Sequence, residues 1–291
     1  MGEATGTNPI SARPGLTRET LKQQLRHLKG GTWLSLLAIL FITLAILFPG
    51  LLATHDPLDL NVSDRLKPPS LDYYFGTDGA GRDIYSRLIY GARYTIGMSL
   101  VIVFGAALVG TLWGGVAGFV GGRVDQVMMR LVDIFLAFPY FILALAVASA
   151  LGRGMVSAVV ALLLVWWPGY ARMIRGQVLG IKNNLFVEAA RAIGMSNTRL
   201  GLRHILPQTT HELNARITLD LGYVLLALTG LSFLGLGAQN PTPEWGVMVA
   251  DSRLFIFRAW WYGVFPGTVI FLTVLAFMTF GDSFAERQFR R

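Results

Sequence analysis

Six stretches of this chain carry no Asp, Glu, Lys or Arg: Trp33 to Ala53, Tyr94 to Val120, Ile134 to Leu151, Gly154 to Ala171, Leu221 to Gln239 and Ala259 to Gly281. A helix needs about 17 to 20 apolar residues to cross the hydrocarbon core of a bilayer, where each backbone N–H and C=O must be satisfied within the segment itself. Buried helices of a soluble bundle would show polar stripes at helical spacing, and these runs lack them. The sequence therefore predicts an all-α integral membrane protein with six transmembrane helices. Composition agrees, with 14% of residues charged against about a quarter in an ordinary soluble domain. Only Gly152 and Arg153 separate the third and fourth runs, which predicts a tight helical hairpin.

Six spans put both termini on one side, and the distribution of Lys and Arg selects the side. With the termini in the cytoplasm, 17 of the 25 Lys and Arg fall on inner segments, and most of the rest share the first outer loop with aspartates. The net charge of +8 thus reads as membrane orientation and lipid contact, not as a nucleic-acid surface. Roughly thirty hydrophilic residues precede the first run with no small-residue cleavage site, so that run is expected to stay as an anchor. The predicted division is a cytoplasmic tail over 1–30, ending in the basic surface helix "LKQQLRHLKGG", a membrane domain over 31–285 and a cytoplasmic tail over 286–291. The spans are placed at about 33–53, 94–120, 134–151, 154–171, 215–239 and 259–281, with a cytoplasmic loop over 182–208.

Several chemistries are disfavoured. There is no cysteine, hence no disulfide framework. His27, His55, His204 and His211 match no metal-ligand spacing, so no metal site is expected, and no G-x-x-x-x-G-K-[ST] loop is present to bind ATP. "GLSFLG" is not the G-x-S-x-G elbow of a hydrolase, and no histidine lies in an apolar run. A secondary transporter would place ionisable groups near the midplane, which the centres of five runs lack. A membrane scaffold remains the plainest alternative.

The cytoplasmic loop contains "VEAARAIGMSNTRLGLRHILPQ", Val187 to Gln208. It reads as two short helices. Asn183 or Asn184 can cap the first, Glu188 lies in its first turn and Gly194 supplies a left-handed stop. Ser196 can cap the second, which is expected to end before Pro207. Leu185, Ala189 and Ile193 line one side of the first helix, with Phe186 and Ala190 beside them.

Here the residues resemble a family. "EAARAIG", followed ten residues later by "ILP", is similar to the EAA signature of bacterial ABC importer permeases, and "RHILP" to the form found in the peptide and nickel group. The resemblance implies that the first short helix is a coupling helix seated in a groove of an ATP-hydrolysing subunit, with Glu188, Ala189, Ala190, Gly194, Ile205 and Pro207 at the matching positions. "FGTDGAGRDIYSRLIYGARYTI", from Phe75 to Ile96, resembles the segment ahead of the second span in the C-type permease subunit of that group, through Gly76, Thr77, Asp78, Gly81, Arg82, Asp83, Ser86, Arg87, Gly91 and Arg93. Asp83, Arg87 and Gly91 recur every four residues, so one helix face can hold an acid–base pair and a bare patch. Packing within the bundle or on a companion is favoured over substrate contact. "LSFLGLG", "PTPEWG" and the ending "VFPGTVIFLTVLAFMTFGDSF" extend the likeness over about residues 30 to 285.

What the resemblance implies is a type I ABC importer permease fold and a non-catalytic subunit. Such a subunit pairs with a homologous permease, two ABC ATPases and an extracytoplasmic substrate-binding protein in a bacterial or archaeal cytoplasmic membrane. ATP and Mg would sit on the ATPases, and the cargo would be dipeptides or oligopeptides, alternatively nickel or another small solute. The family's acidic residue just before "LSFLGLG" is absent; Asp220 stands earlier, four residues after Arg216, and reads as half of an ion pair. Gly110, Gly114, Gly118 and Gly122 form a ridge for helix packing. Pro139, Pro168 and Pro266 permit bends, and the pairs Trp166–Trp167 and Trp260–Trp261 suit interfacial anchors.

Overall fold

The computed structural model describes residues 30–289. The expected basic segment of the N-terminal tail, apart from its last glycines, and the final residues 290–291 lie outside them. The described chain is helical and, in order, forms α1 (Gly30–Leu47), α2 (Ile84–Val120), α3 (Gly122–Leu136), α4 (Tyr140–Leu151), α5 (Met155–Lys182), α6 (Leu185–Ala192), α7 (Asn197–Phe233), α8 (Trp245–Ser252) and α9 (Trp260–Phe289). α2, α5, α7 and α9 are each long and apolar enough to cross a membrane. The α3–α4 pair counts as a fifth crossing if a bend of 88° is allowed, and α1 is a shorter apolar helix. Against the six expected spans, the described residues thus show four crossings by length and composition, or five with the bent pair, and α1 falls short of that length.

The element ends differ from the uncharged runs in instructive ways. The first run breaks at Phe48, because Pro49 cannot continue the ladder and opens a separate turn, Pro49–Leu52. The third run is not one helix: α3 ends at Leu136 and Pro139 becomes the N-cap of α4, so the crossing reaches back to Gly122 and is sharply bent. Pro207 does not stop a helix either. The chain is helical from Asn197 to Phe233, and a π-turn over Gly201–Ile205, closed by Leu206 N–H to Gly201 C=O, widens the coil just where the proline ring would meet the preceding turn. At the other end α7 stops at Phe233, with Gly235 in the left-handed region at φ 81°. Pro168 and Pro266 stay inside α5 and α9.

The central packing is α2 against α5. Gly110 and Gly114 make it possible: a Cβ on Gly110 would lie 2.4 Å from Cβ of Tyr170, and one on Gly114 only 2.2 Å from the Ala171 carbonyl oxygen. Gly118 continues the ridge against Val178. Gly122 does not belong to it. α2 ends at Val120, Gly121 and Gly122 turn the chain at φ 74° and 59°, and nothing stands within 4 Å of a Cβ at Gly122. Two tryptophans are likewise core and not anchors: Trp167 packs with Tyr170, Ala106 and Val132, while Trp261 is buried beside Gly76. α1 is fastened to α9 by hydroxyls, with Thr32 to Ser283 at 2.8 Å and Ser35 paired to Thr279. Such pairs join helices where the hydrophobic effect cannot.

α8 is wedged among α2, α7 and α9. Glu244 caps it, fully buried, accepting from Val247 N–H at 3.0 Å and from the Thr95 hydroxyl at 3.3 Å. Burial pushes its carboxyl above the ordinary 4.5. The folded chain therefore holds this proton more tightly than the unfolded chain, so the group's contribution to stability is complete below the ordinary 4.5 and is lost as pH rises through its folded pKa. Glu244→Gln, which keeps an acceptor and removes the charge, is expected to be at least as stable as wild type at pH 7.5 and to lose the gain on moving to about pH 4, below the ordinary 4.5. Glu244→Ala is expected to lose about 1–2 kcal/mol with the cap. Thermal midpoints of the purified protein in detergent at both pH values check this.

Candidate functional site

The loop over 182–208 is built from one anchor and one free face. Val187 is fully buried on α6 and packs with Ile174 and Val178 of α5 and with Leu200 and Ile205 of α7, closed over by Phe119 and Met195. Lys182 ties the same corner down, its Nζ donating to the Phe119 carbonyl at 2.6 Å. α6 ends at a two-bond stop: Met195 N–H reaches the Ala190 carbonyl at 3.1 Å and Gly194 N–H the Arg191 carbonyl at 3.0 Å, with Gly194 at φ 82°. That is the left-handed termination expected of this glycine. The caps differ from expectation, since Asn184 and Ser196 hold the N-cap positions but neither side chain makes the capping bond.

The other side of α6 is uncovered. Leu185 and Ile193 are 82% and 81% exposed, and Ala189, Phe186 and Glu188 are exposed with them, while Ala190 is half-buried. Ile205 is buried beneath the loop and Pro207 exposed. Two large aliphatic side chains left this open beside a well-packed anchor form a ready contact surface. The sequence did not reveal Val187 as the anchor, because it lies off the 185/189/193 stripe and its partners are distant in sequence.

The segment ahead of α2 is a closed network. Gly76 (φ 74°) and Gly81 (φ 82°) allow turns against Lys67 and Asn61, whose carbonyls leave no space for a Cβ. Buried Thr77 accepts from Lys67 N–H at 2.8 Å. Asp78 gathers Ala80 N–H at 2.8 Å, Arg82 N–H at 3.0 Å and Arg82 Nε at 2.7 Å. The expected Asp83–Arg87 pair does not form. Asp83 instead caps α2, taking Ser86 N–H at 2.9 Å and the Thr54 hydroxyl at 3.1 Å, while Arg87, 1% exposed, lies 3.6 Å from Asp78 and donates to the Pro57 carbonyl at 3.1 Å. Asp83 spends Oδ2 on that cap and leaves Oδ1 buried without a partner, because the Arg87 side chain is directed toward Asp78 and the Pro57 carbonyl instead. Gly91 lets Pro243 approach, and Arg93 donates from Nη2 to the Leu47 carbonyl at 3.1 Å, supplying one acceptor at the end of α1 with the donor it lacks. These contacts all lie within the chain.

Arg216 and Asp220 are paired, Nε to Oδ2 at 2.9 Å. Two further pairs escaped the sequence: Arg175 holds Asp125 with both nitrogens and Arg172 meets Asp133 at 2.6 Å, each joining α5 to α3. Among the described residues no cluster of three His, Asp or Glu can hold a metal ion.

Residues 110–291 match the family model described as binding-protein-dependent transport system inner membrane component. The chain is 41% identical over 261 residues to a probable D,D-dipeptide transport system permease of Escherichia coli K12, covering 89% of this chain and 88% of that one. It is 42% identical over 246 residues to a dipeptide transport system permease of Alkalihalophilus pseudofirmus, covering 84% and 81%. To a glutathione transport system permease of Escherichia coli O6:K15:H31 it is 41% identical over 253 residues, covering 87% and 83%. In fold it is similar to a chain of the MetNI methionine ABC transporter in an inward-facing conformation, with a TM-score of 0.56 and 21% identity over 69% of this chain and 95% of that one. The chain belongs to the family of binding-protein-dependent transport system inner membrane components and is a multi-pass permease subunit of an ABC importer, a kind of protein that works with ATPase and substrate-binding partners.

Proposed function

We propose that this chain is one half of the membrane domain of an importer for short peptides in a bacterial or archaeal cytoplasmic membrane. It pairs with a homologous permease as a heterodimer, and two ATPase subunits bind ATP and Mg and hydrolyse the ATP. An extracytoplasmic binding protein delivers the peptide. The observation that carries the coupling reading is the split character of α6: Val187 is locked into the bundle while Leu185, Ala189 and Ile193 stand free. A helix held at one face and bare at the other passes on a push without absorbing it. ATP binding moves the pair of such helices together and opens the route outward; hydrolysis returns it inward. The motion is driven only by contacts that differ between the two states, and the α6 face is where they form. The peptide reading is supported by the relatives whose names are dipeptide and glutathione permeases.

The test is co-expression with the neighbouring permease, ATPase and binding-protein genes, followed by reconstitution in liposomes. ATP-dependent uptake of a labelled dipeptide, with Leu185→Cys crosslinking to the ATPase, is the expected result. The absence of cysteine makes that single-site crosslink clean. Crosslinking without uptake of any di- or tripeptide would remove the peptide cargo and leave the coupling role standing; uptake without crosslinking would do the reverse.

A further inference from the structure

One lane of α7 is uncovered along its length. Arg216 is 49% exposed in its side chain, Tyr223 and Leu226 about as much, and Gly230 is half-buried. Arg216 spends only its Nε on Asp220, whose own side chain is 3% exposed and so fixed in place. Its two terminal nitrogens make no hydrogen bond among the described residues, and its guanidinium carbon rests 6.0 Å from the centre of the Tyr170 ring. Gly169 of α5 keeps the space before it open, since even a Cβ there would stand 3.8 Å from Nη2.

The α3–α4 break joins the same side. Ala137, Phe138 and Pro139 are exposed in a non-helical stretch inside a crossing, and Phe141 just beyond them faces Gly230, where a Cβ would come within 3.2 Å of its ring. Irregular backbone inside a crossing, as at Ala137–Pro139, occurs only against protein or an aqueous route, and Arg216, which opens the span placed at 215–239, stands at the end of that crossing where water is within reach of its guanidinium. An apolar helix of a companion laid over Arg216 would strand its terminal donors without partners. Water or a passing anion would not.

We infer that Arg216 faces the translocation route and takes the carboxylate of the peptide in transit, with Asp220 as its positioning residue. The inference rests on the peptide reading given above. The chemistry fits a substrate that must leave again: a guanidinium presents a planar fork to a carboxylate, while the Asp220 charge beside it cancels most of the long-range attraction, so the anion is oriented without being trapped.

In liposomes holding the full transporter, uptake of a dipeptide with a free C-terminus is compared with uptake of its C-terminal amide. The binding protein is unchanged between variants, so its own preference cancels in the comparison of their ratios. Arg216→Gln is expected to lower the ratio of acid to amide uptake about tenfold and Arg216→Lys to restore part of it. An equal fall for both peptides, or no change, would show a structural role and overturn the proposal. A second measurement does not depend on cargo. Tyr223→Cys is labelled with membrane-impermeant thiol reagents of negative and positive charge, with Arg216 intact and with Arg216→Gln. Faster labelling by the negative reagent, lost in the Gln variant, supports an anion-receptive lane; no labelling, or an unchanged charge preference, overturns it. Should the wild-type transporter carry neither peptide, the peptide reading fails and the labelling alone decides the lane.

Discussion

Gly114→Val is expected to prevent this chain from accumulating as a folded membrane protein. The obstacle to a Cβ at that position is the Ala171 carbonyl oxygen at 2.2 Å, with the Ala171 carbonyl carbon at 2.9 Å. Backbone cannot turn aside as a flexible side chain can, so α2 and α5 must separate along their length. Overpacking of this kind costs about 1–3 kcal/mol by itself. Replacing glycine in a helix returns at most about 1 kcal/mol of propensity for alanine and less for a β-branched residue. Separation would also strip Ala106, Ala107, Trp167, Tyr170 and Ala171 of their shared packing. The sum is a large share of the about 5–15 kcal/mol by which a domain is stable. Gly97→Ala, in the same helix with nothing within 4 Å of its Cβ, should match wild type. Detergent size-exclusion profiles and thermal midpoints of the two variants check the contrast, and a monodisperse Gly114→Val with an unshifted midpoint would contradict the packing account.

The same interface shows what a sequence can and cannot tell. Gly110, Gly114 and Gly118 of the ridge were legible because a four-residue repeat is local, though the repeat carried on to Gly122 past the end of the helix, and so was the left-handed stop at Gly194, which depends on a single residue's φ. Helix ends were not legible, because absence of charge marks where lipid is tolerated and not where a helix stops. α2 begins at Ile84, ahead of its uncharged run, because Arg87 and Arg93 are absorbed by carbonyls far along the chain, those of Pro57 and Leu47, and by the Asp78 carboxylate in the turn before the helix. α5 runs on to Lys182 for a like reason: Arg172 and Arg175 are met by Asp133 and Asp125 of α3. Partners of this kind are chosen by tertiary structure, which is also why Asp83 and Arg87, well spaced for each other on paper, bond elsewhere. The two-helix loop over 182–208 was read from its pattern, yet its fixed side came to light only with the fold, since Val187 looks outward-equivalent until Leu200 and Ile205 are brought beneath it.

That fixed side gives the last prediction its control. Leu185→Asp with Ile193→Asp is expected to abolish attachment of the ATPase while the chain still inserts and folds. Burying a Leu or Ile side chain contributes about 1.5–3 kcal/mol, so removing two from an interface, before any cost of burying the new charges, weakens it by about a hundredfold or more. Both side chains are over 80% exposed in the chain alone, hence the fold loses nothing of its own. Val187→Ala should behave in the opposite sense. It opens a cavity in the small cluster beneath the loop, costing about 0.5–2 kcal/mol of local stability, and leaves the contact face chemically intact but loosely held. Co-purification should then survive while peptide-stimulated ATP hydrolysis falls, because a helix that rocks on its seat takes up part of the displacement it is meant to transmit. Affinity pull-down from detergent and ATPase rates with and without loaded binding protein separate the two outcomes. If the double aspartate variant retained its ATPase, the free face of α6 would not be the docking surface, and force would have to enter the bundle elsewhere.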